Sequence, residues 1–261
     1  MITESRIFSP NLLVLFKGIV KYVLFCFLIF FFLFHHALVS LVIWDDKKRM
    51  RYFMKSIRLT ALMGLKVLNV QHKVENKTQA LEGRLLIANH MSYVDVLILF
   101  AHYPSLFVTS VEMSEVPVLG QIIKLAGCFL VERRKEKRGQ DTLNREIVSM
   151  TQKLKDGFDV FLFPEGTSSD GRGILPFKST FFQTAIDCKA TIIPICLVYD
   201  EGLDVIPWYG KMTFPDHLFN LFLASNLKAR VIELEAISPE GNRSELKNIC
   251  HERIASAYAK H

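Results

Sequence analysis

The chain has 261 residues, enough for one large domain with a buried core and an appendage. Half of the residues are hydrophobic, 21 are phenylalanine and the formal net charge is +6. This is more apolar than an ordinary soluble enzyme, and the charge fits a protein that lies against anionic lipid. The five cysteines are scattered without a C-x-x-C pair, so we expect reduced, buried thiols in a reducing compartment. No nucleic-acid module is recognisable.

The first predicted element is a long apolar segment. Residues 22 to 44 form a run of 23 positions without Lys, Arg, Asp or Glu, enough at about 1.5 Å per residue to cross roughly 30 Å of hydrocarbon. A cleaved signal peptide is the alternative, but the apolar core is too long for one and no small-x-small cleavage site follows it. We predict a retained membrane helix, with residues 1–48 as an anchor and 49–261 as the main domain.

Basic residues flank both ends of this segment. Lys17 and Lys21 precede it, and a larger basic cluster follows at 47–51. Positive residues favour the cytoplasmic side, which leaves two arrangements: a span with a cytoplasmic domain, or a helix or helical hairpin that enters one leaflet and returns. Residues 50–70 carry apolar positions at helical spacing with basic residues between them. This pattern predicts an amphipathic helix on the membrane surface or against the domain.

Beyond this helix, short apolar runs alternate with segments of helical period. Strands that alternate with helices at this spacing predict an α/β sheet covered by helices on both faces, in one globular unit. The predicted strands lie at 66–75, 83–90, 105–112, 128–133, 159–163 and 191–199, and the predicted helices at 92–103, 118–127, 142–157 and 179–190.

Two strand-end segments, "NHMSYVD" and "FPEGTSS", carry candidate chemistry, since sites in open α/β sheets form where strands end. His90 closes the first loop, and Asp95 falls inside the following helix, so the two can meet only across the loop-to-helix junction. A carboxylate that holds an imidazole makes a general base. The alternative is a capping box between Ser92 and Asp95, which explains the aspartate and leaves the histidine without a role.

Other chemistries lack their motifs. The stretch "GTSSDG" does not fit G-x-S-x-G, which argues against an α/β-hydrolase. There is no H-E-x-x-H, no Cys/His cluster, no Walker A segment and no G-x-G-x-x-G. We therefore expect neither a metal site nor a bound cofactor.

Four segments together resemble the sequence blocks of the glycerolipid acyltransferases, the family of 1-acylglycerol-3-phosphate acyltransferases. "NHMSYVD" resembles the N-H-x-x-x-x-D block, "GCFLVER" the second block, "FPEGTSS" the third and "IIPICL" the fourth. They occur in family order between about residues 82 and 200. The resemblance implies a mixed, mostly parallel sheet flanked by helices, the glycerolipid acyltransferase fold. The positions that match the blocks are Asn89, His90, Asp95, Gly127, Arg133, Phe163, Pro164, Glu165, Gly166, Thr167 and Pro194.

The resemblance also implies a reaction. A fatty acyl group passes from acyl-CoA or acyl carrier protein to the free hydroxyl of a lysolipid, with 1-acyl-sn-glycerol-3-phosphate as the first candidate acceptor and phosphatidic acid as its product. The implied partners are these substrates and a phospholipid membrane, without nucleic acid. The implied location is the inner membrane, with the catalytic domain on the cytoplasmic face. Two alternatives stay open: another lysolipid, such as a lyso-ornithine lipid or a lysophospholipid, and a non-catalytic lipid-binding relative.

The same resemblance assigns roles to single residues. His90 becomes the general base that Asp95 orients, and Arg133 grips the phosphate of the acceptor, since a guanidinium pairs bidentately with oxyanions. The ordinary alternatives are a solvated basic loop around the arginine and a simple tight turn at "PEGT". Ser168 stands where the family commonly has arginine, so Arg172 and Lys178 become candidates for the missing charge. The predicted substrate-binding residues are Asn89, Arg133, Glu165, Gly166, Thr167 and Ser168.

Overall fold

The computed structural model describes residues 11–76, 82–116, 118–125, 127–132 and 139–261. Two long helices come first, α1 (Leu12–Val42) and α2 (Asp46–Leu68). Asn11 and Asp45 cap them by accepting backbone N–H groups of their first turns. Only residues 43–45 separate the two helices, which therefore form an antiparallel hairpin.

Seven strands form the central sheet: β1 (Val70–Glu75), β2 (Leu85–Ala88), β3 (Leu106–Ser110), β4 (Phe129–Val131), β5 (Val160–Leu162), β6 (Ile192–Glu201) and β7 (Leu227–Glu233). Their order is β1-β7-β6-β2-β5-β3-β4. All neighbouring pairs are parallel except β6 with β7. The central strand β2 is paired on both sides, and all four of its residues are buried, as expected of a strand covered on both faces.

The remaining described helices are α3 (Tyr93–His102), α4 (Val111–Glu115), α5 (Leu119–Leu125), α6 (Gln140–Lys155), α7 (Phe182–Cys188), α8 (Phe214–Leu223) and α9 (Arg243–Tyr258). Side chains alternate between the faces of a strand. Leu86 and Ala88 therefore join one apolar core with α2, α3 and α8, and Leu85 and Ile87 join the other with α6, α7 and α9. The sheet thus separates two cores.

Helix α1 packs along the domain over much of its length. Nζ of Lys21 donates to the carbonyl oxygen of Ala224 at 2.9 Å, and near its other end Nε2 of His36 lies 2.9 Å from Oγ of Ser56 in α2. The opposite face of α1 exposes mainly Phe, Leu and Val side chains. Among the described helices, α1 alone is long and apolar enough to cross a membrane.

The predicted α/β fold is confirmed, and between residues 83 and 199 every predicted element overlaps an observed one of the same type. The apolar helix begins ten residues earlier than predicted, since the lysines that interrupt the uncharged run do not end the helix. The strand predicted over 66–75 is wrong in its first part, because α2 continues to Leu68. Helix α4 and the C-terminal elements α8, β7 and α9 were not predicted. The boundary at residue 48 stays a prediction, and α2 begins just before it.

Candidate active site

The site forms where two neighbouring strands end. Strand β2 ends at Ala88 and α3 begins at Tyr93, so residues 89–92 make the whole connection. Strand β5 pairs with β2 in parallel, and residues 163–169 follow it directly. Because the carboxyl ends of parallel neighbours meet at one edge of the sheet, the two segments with candidate chemistry lie side by side.

His90 and Asp95 are in direct contact. Nδ1 of His90 lies 2.9 Å from Oδ2 of Asp95, which the first turn of α3 carries back towards the loop. The capping box of Ser92 and Asp95, the alternative interpretation of this aspartate, is also present. The capping and histidine-binding interpretations of this aspartate are therefore compatible, since one carboxylate makes both sets of contacts.

Asp95 is fully buried and accepts four hydrogen bonds. Its Oδ2 accepts from Nδ1 of His90 and from the backbone N–H groups of Met91 at 2.6 Å and Ser92 at 2.8 Å. Its Oδ1 accepts from the hydroxyl of Tyr199 at 2.5 Å. An ionised carboxylate only accepts, so the proton of the imidazole resides on Nδ1 and the lone pair on Nε2. Within the described residues, no group hydrogen-bonds this Nε2, and 18% of the His90 side chain is exposed.

Two side chains that follow β5 hold the histidine in place. The imidazole stacks on the ring of Phe163, with centroids 3.9 Å apart and planes at 8°. Oε1 of Glu165 accepts the backbone N–H of His90 at 2.7 Å, and Oε2 accepts that of Leu175 at 3.1 Å. Burial raises the pKa of Glu165 to about 7, although both backbone donors lower it. Glu165 thus binds backbone on two loops at once.

Asn89, a predicted substrate-binding residue, directs its amide into the protein. Its Nδ2 donates to the carbonyl oxygen of Leu197 at 2.9 Å, and its Oδ1 accepts the N–H of Leu197 at 2.8 Å. The side chain thereby extends the pairing of β2 with β6 by one step. This geometry positions the loop that carries His90, and contact with substrate stays a prediction.

The turn after Glu165 lies across the histidine loop. Gly166 has φ +72°, the left-handed region that glycine adopts without strain, and Thr167 is exposed. The hydroxyl of Ser168 donates to the carbonyl oxygen of Trp208, and the backbone N–H of Trp208 donates to the carbonyl oxygen of Met91 at 2.8 Å. The segment after β6 therefore joins the turn to the histidine loop.

Lys178 and Arg172, the two candidates for the missing charge, differ in their position relative to this turn. A Cβ added at Gly166 would lie 2.5 Å from Nζ of Lys178, so this ammonium group lies directly over the turn. Arg172 projects into solvent with 87% of its side chain exposed and pairs with Asp170 at 3.5 Å. Arg133, the predicted phosphate-binding residue, lies outside the described residues. Of the two cations considered for the missing charge, Lys178 is the one at the turn.

Local sequence patterns missed two contributors to the site. Tyr199 is 104 positions from Asp95, and Trp208 is 40 from Ser168. For Tyr199 the available signal was its place near the end of a strand in the same sheet. For Trp208 no pattern indicated the contact, because it depends on the path of an irregular segment.

Comparisons with known proteins agree with this geometry. A family model described as Acyltransferase matches residues 69–198. The chain is 32% identical over 182 residues to the 1-acyl-sn-glycerol-3-phosphate acyltransferase of Neisseria meningitidis serogroup B, covering 68% of this chain and 70% of that one. It is 27% identical over 235 residues to the lyso-ornithine lipid O-acyltransferase of Rhizobium meliloti, covering 82% of this chain and 77% of that one. The crystal structure of the 1-acyl-sn-glycerophosphate acyltransferase PlsC from Thermotoga maritima shares the fold, with a TM-score of 0.69 at 19% identity over 96% of this chain and 95% of that one.

The mostly parallel sheet and the imidazole–carboxylate pair at its edge, together with these matches, define an acyltransferase. Within that class, the chain belongs to the glycerolipid acyltransferase family, as its four sequence blocks had indicated.

Proposed function

We propose that the protein transfers a fatty acyl group from a thioester, acyl-CoA or acyl carrier protein, to the free hydroxyl of a lysolipid at a membrane surface. The first candidate acceptor is 1-acyl-sn-glycerol-3-phosphate, which gives phosphatidic acid. The observation that carries this proposal is the contact of His90 Nδ1 with the buried Asp95 carboxylate, which leaves Nε2 as a base at the protein surface.

The chemistry follows from that tautomer. Nε2 of His90 removes the proton of the acceptor hydroxyl while its oxygen attacks the thioester carbonyl. The carbon–oxygen ester bond forms, the carbon–sulfur bond breaks, and the leaving thiolate takes the proton back from the imidazolium. Asp95 stabilises the imidazolium between the two proton transfers. The reaction needs no acyl-enzyme, because the acceptor oxygen is itself the nucleophile.

The headgroup of the acceptor is the less determined part. We assign Lys178 and the exposed turn at Thr167 to the acceptor phosphate, together with Arg133. The position of the ammonium group over Gly166 supports this choice, since charge-assisted hydrogen bonds to phosphate are the strong ones.

A second candidate acceptor is a lyso-ornithine lipid. Ser168 replaces the arginine that the family commonly has in the third block, and its hydroxyl is engaged by Trp208, so this position offers no cation to a phosphate monoester. Two relatives with lower identity but longer coverage of this chain carry that activity in their names.

The membrane arrangement that we favour is a hairpin held in one leaflet. Charged residues lie at both ends of α1, Lys17 and Lys21 at one and Asp45 to Lys48 at the other, and charge is costly in hydrocarbon, so both ends reach a membrane surface in either arrangement. The domain also packs beside α1 from residue 21 to residue 36. A helix normal to the bilayer would draw this part of the domain into the lipid, whereas a helix along the surface exposes its apolar face to one leaflet. Acyl chains then stay in lipid, which avoids an exposure of about 0.8 kcal/mol per CH₂.

The test is a substrate panel. The full chain, purified in detergent, is offered lysophosphatidic acid, lyso-ornithine lipid and lysophosphatidylcholine, each with acyl-CoA and with acyl carrier protein, and products are identified by mass. We expect one new ester at the free hydroxyl, with lysophosphatidic acid the best acceptor. Preference for lyso-ornithine lipid would support the second candidate, and no acyl transfer to any lysolipid would contradict the proposal.

A further inference from the structure

Tyr199 connects strand β6 to the catalytic pair. Its hydroxyl donates to Oδ1 of Asp95 at 2.5 Å, and the side chain is only 3% exposed in the core that β2, α3 and β6 share. Asp95 itself is fully buried. The contact therefore lies in a dry environment, where a hydrogen bond to a charged group is strong and its loss is costly.

We propose that Tyr199 is a positioning residue for acyl transfer, which acts through Asp95 to set both the orientation and the basic strength of the His90 imidazole. This inference rests on the proposed role of His90 as the general base. It adds a third, distant member to a pair that the sequence blocks contain within six consecutive positions.

The two oxygens of Asp95 are unequally supplied with donors. Oδ2 accepts from three groups of its own loop, the imidazole of His90 and the N–H groups of Met91 and Ser92. Within the described part of the chain, Oδ1 accepts from Tyr199 alone. Tyr199 therefore restrains the second oxygen and, together with the three donors on Oδ2, limits rotation of the carboxylate about its Cβ–Cγ bond. By donating to Oδ1 it also draws charge away from Oδ2, which faces the imidazole.

Loss of this hydroxyl has two consequences. The carboxylate is less firmly oriented, so the imidazole spends less time aimed at the acceptor hydroxyl and kcat falls. More charge also remains on Oδ2, which favours the imidazolium form of His90. The base is then protonated up to a higher pH, and the acid limb of the rate profile moves in the alkaline direction.

Other titratable groups surround the histidine from each neighbouring element. Glu165 binds the backbone of His90 from the loop after β5, Lys178 covers the adjacent turn, and Tyr258 of α9 donates to the carbonyl oxygen of Gly171 at 2.5 Å. None of them bonds to Oδ1 of Asp95. Burial and the neighbouring carboxylate raise the pKa of Tyr199 well above its ordinary value, so the phenol stays a donor throughout an assay range.

The chain offers a matched control in Tyr103. This tyrosine is 1% exposed, and its hydroxyl donates to a buried carboxylate, Oε2 of Glu233, at 2.8 Å. Tyr103→Phe thus removes the same group from the same kind of pair without touching Asp95. Both variants should lose stability, and only Tyr199→Phe should alter the chemistry of the site.

The experiment measures kcat, KM and the pH dependence of kcat/KM for the full-length wild type, Tyr199→Phe and Tyr103→Phe, with the acceptor that the substrate panel selects. For Tyr199→Phe we expect kcat to fall about tenfold, KM to stay within about twofold, and the acid limb to rise by about half a pH unit. Tyr103→Phe should retain the kinetic constants and profile of the wild type. Placing 3-fluorotyrosine at position 199 gives a near-isosteric stronger donor, and it should move the limb towards acid pH.

The outcomes distinguish the positioning role of Tyr199 from the general-base role of His90 on which it rests. If Tyr199→Phe and the fluorotyrosine protein both keep the wild-type profile while His90→Ala is inactive, the role of Tyr199 is refuted and the general base stands. If His90→Ala retains turnover, the proposed mechanism itself fails. The fluorotyrosine protein decides the question if Tyr199→Phe does not fold.

Discussion

Oε1 of Glu165 accepts a hydrogen bond from the backbone N–H of His90 at 2.7 Å, across 75 positions of the chain. The other oxygen of the same carboxylate binds the N–H of Leu175. One buried side chain thus joins the loop that carries the candidate base to the loop that follows β5. The geometry of the site depends on this link, although Glu165 makes it through the backbone and not through the imidazole.

The link predicts a pH-dependent stability. Burial raises the pKa of Glu165 from 4.5 to about 7, so the folded state favours the neutral carboxyl group, and its contribution to stability is lost as the pH rises from about 5 through 7. This rise in pKa corresponds to a loss of roughly 3 kcal/mol at most from the free energy of unfolding. The wild type should therefore lose more free energy of unfolding than Glu165→Gln between pH 5 and pH 8, as measured by denaturant titration in detergent.

Glu240→Gln, which changes an exposed carboxylate, is the control and should follow the wild type. Parallel stability curves for the wild type and Glu165→Gln would show that this carboxyl group does not titrate in the folded protein as we expect.

Asp95→Asn should lower kcat by about 10³- to 10⁴-fold, because an amide cannot stabilise the imidazolium that forms when His90 accepts a proton. Ser92→Ala is the informative partner variant. It removes the helix cap while leaving the contact between His90 and Asp95, so it should cost about 1 kcal/mol of stability with little loss of rate. Equal losses of rate in the two variants would assign the aspartate to capping alone.

Lys178→Met should raise KM for a phosphate-bearing acceptor about tenfold or more with a smaller change in kcat, since a charge-assisted hydrogen bond contributes about 1.5 to 3 kcal/mol. Arg172→Met is its control, because that side chain is exposed and pairs with Asp170. Steady-state kinetics in mixed micelles measure both. A larger effect from Arg172→Met would reverse the assignment of the acceptor phosphate.

The hairpin arrangement can be tested by labelling cysteines with a membrane-impermeant maleimide. In a background with the exposed and partly exposed thiols Cys26, Cys128 and Cys188 changed to serine, a cysteine replaces Leu12 or Trp44, which are 83% and 86% exposed at the two ends of α1. Reconstituted vesicles with the domain outside should label at both positions, and Phe30→Cys in the middle of the helix should be protected by lipid. Labelling at position 12 only after permeabilisation would indicate a helix that spans the bilayer.

The sequence was most informative where local rules decide the structure. The capping box at Ser92 and Asp95 and the apolar run of β2 were readable because each depends on residues a few positions apart. The contacts of Asn89 with Leu197 and of Asp95 with Tyr199 were not, since strand order in the sheet brings those residues together. The end of α2 was misread because the apolar residues Val67, Leu68 and Val70 suit a helix end and a strand start equally. The proposed phosphate contact of Arg133 lies outside the described residues and remains a prediction.

The most direct test of the account is the turnover of His90→Ala beside His72→Ala. His72 lies on the edge strand β1, and its Nδ1 is 2.7 Å from Nε2 of His102, so the control also removes a hydrogen-bonded imidazole, one remote from the central strand. With fold and lysolipid binding verified for each variant, we predict that His90→Ala loses about 10²- to 10⁴-fold in kcat, whereas His72→Ala stays near the wild type. A His90→Ala protein that still transfers acyl groups at the wild-type rate would contradict the assignment of this imidazole as the base.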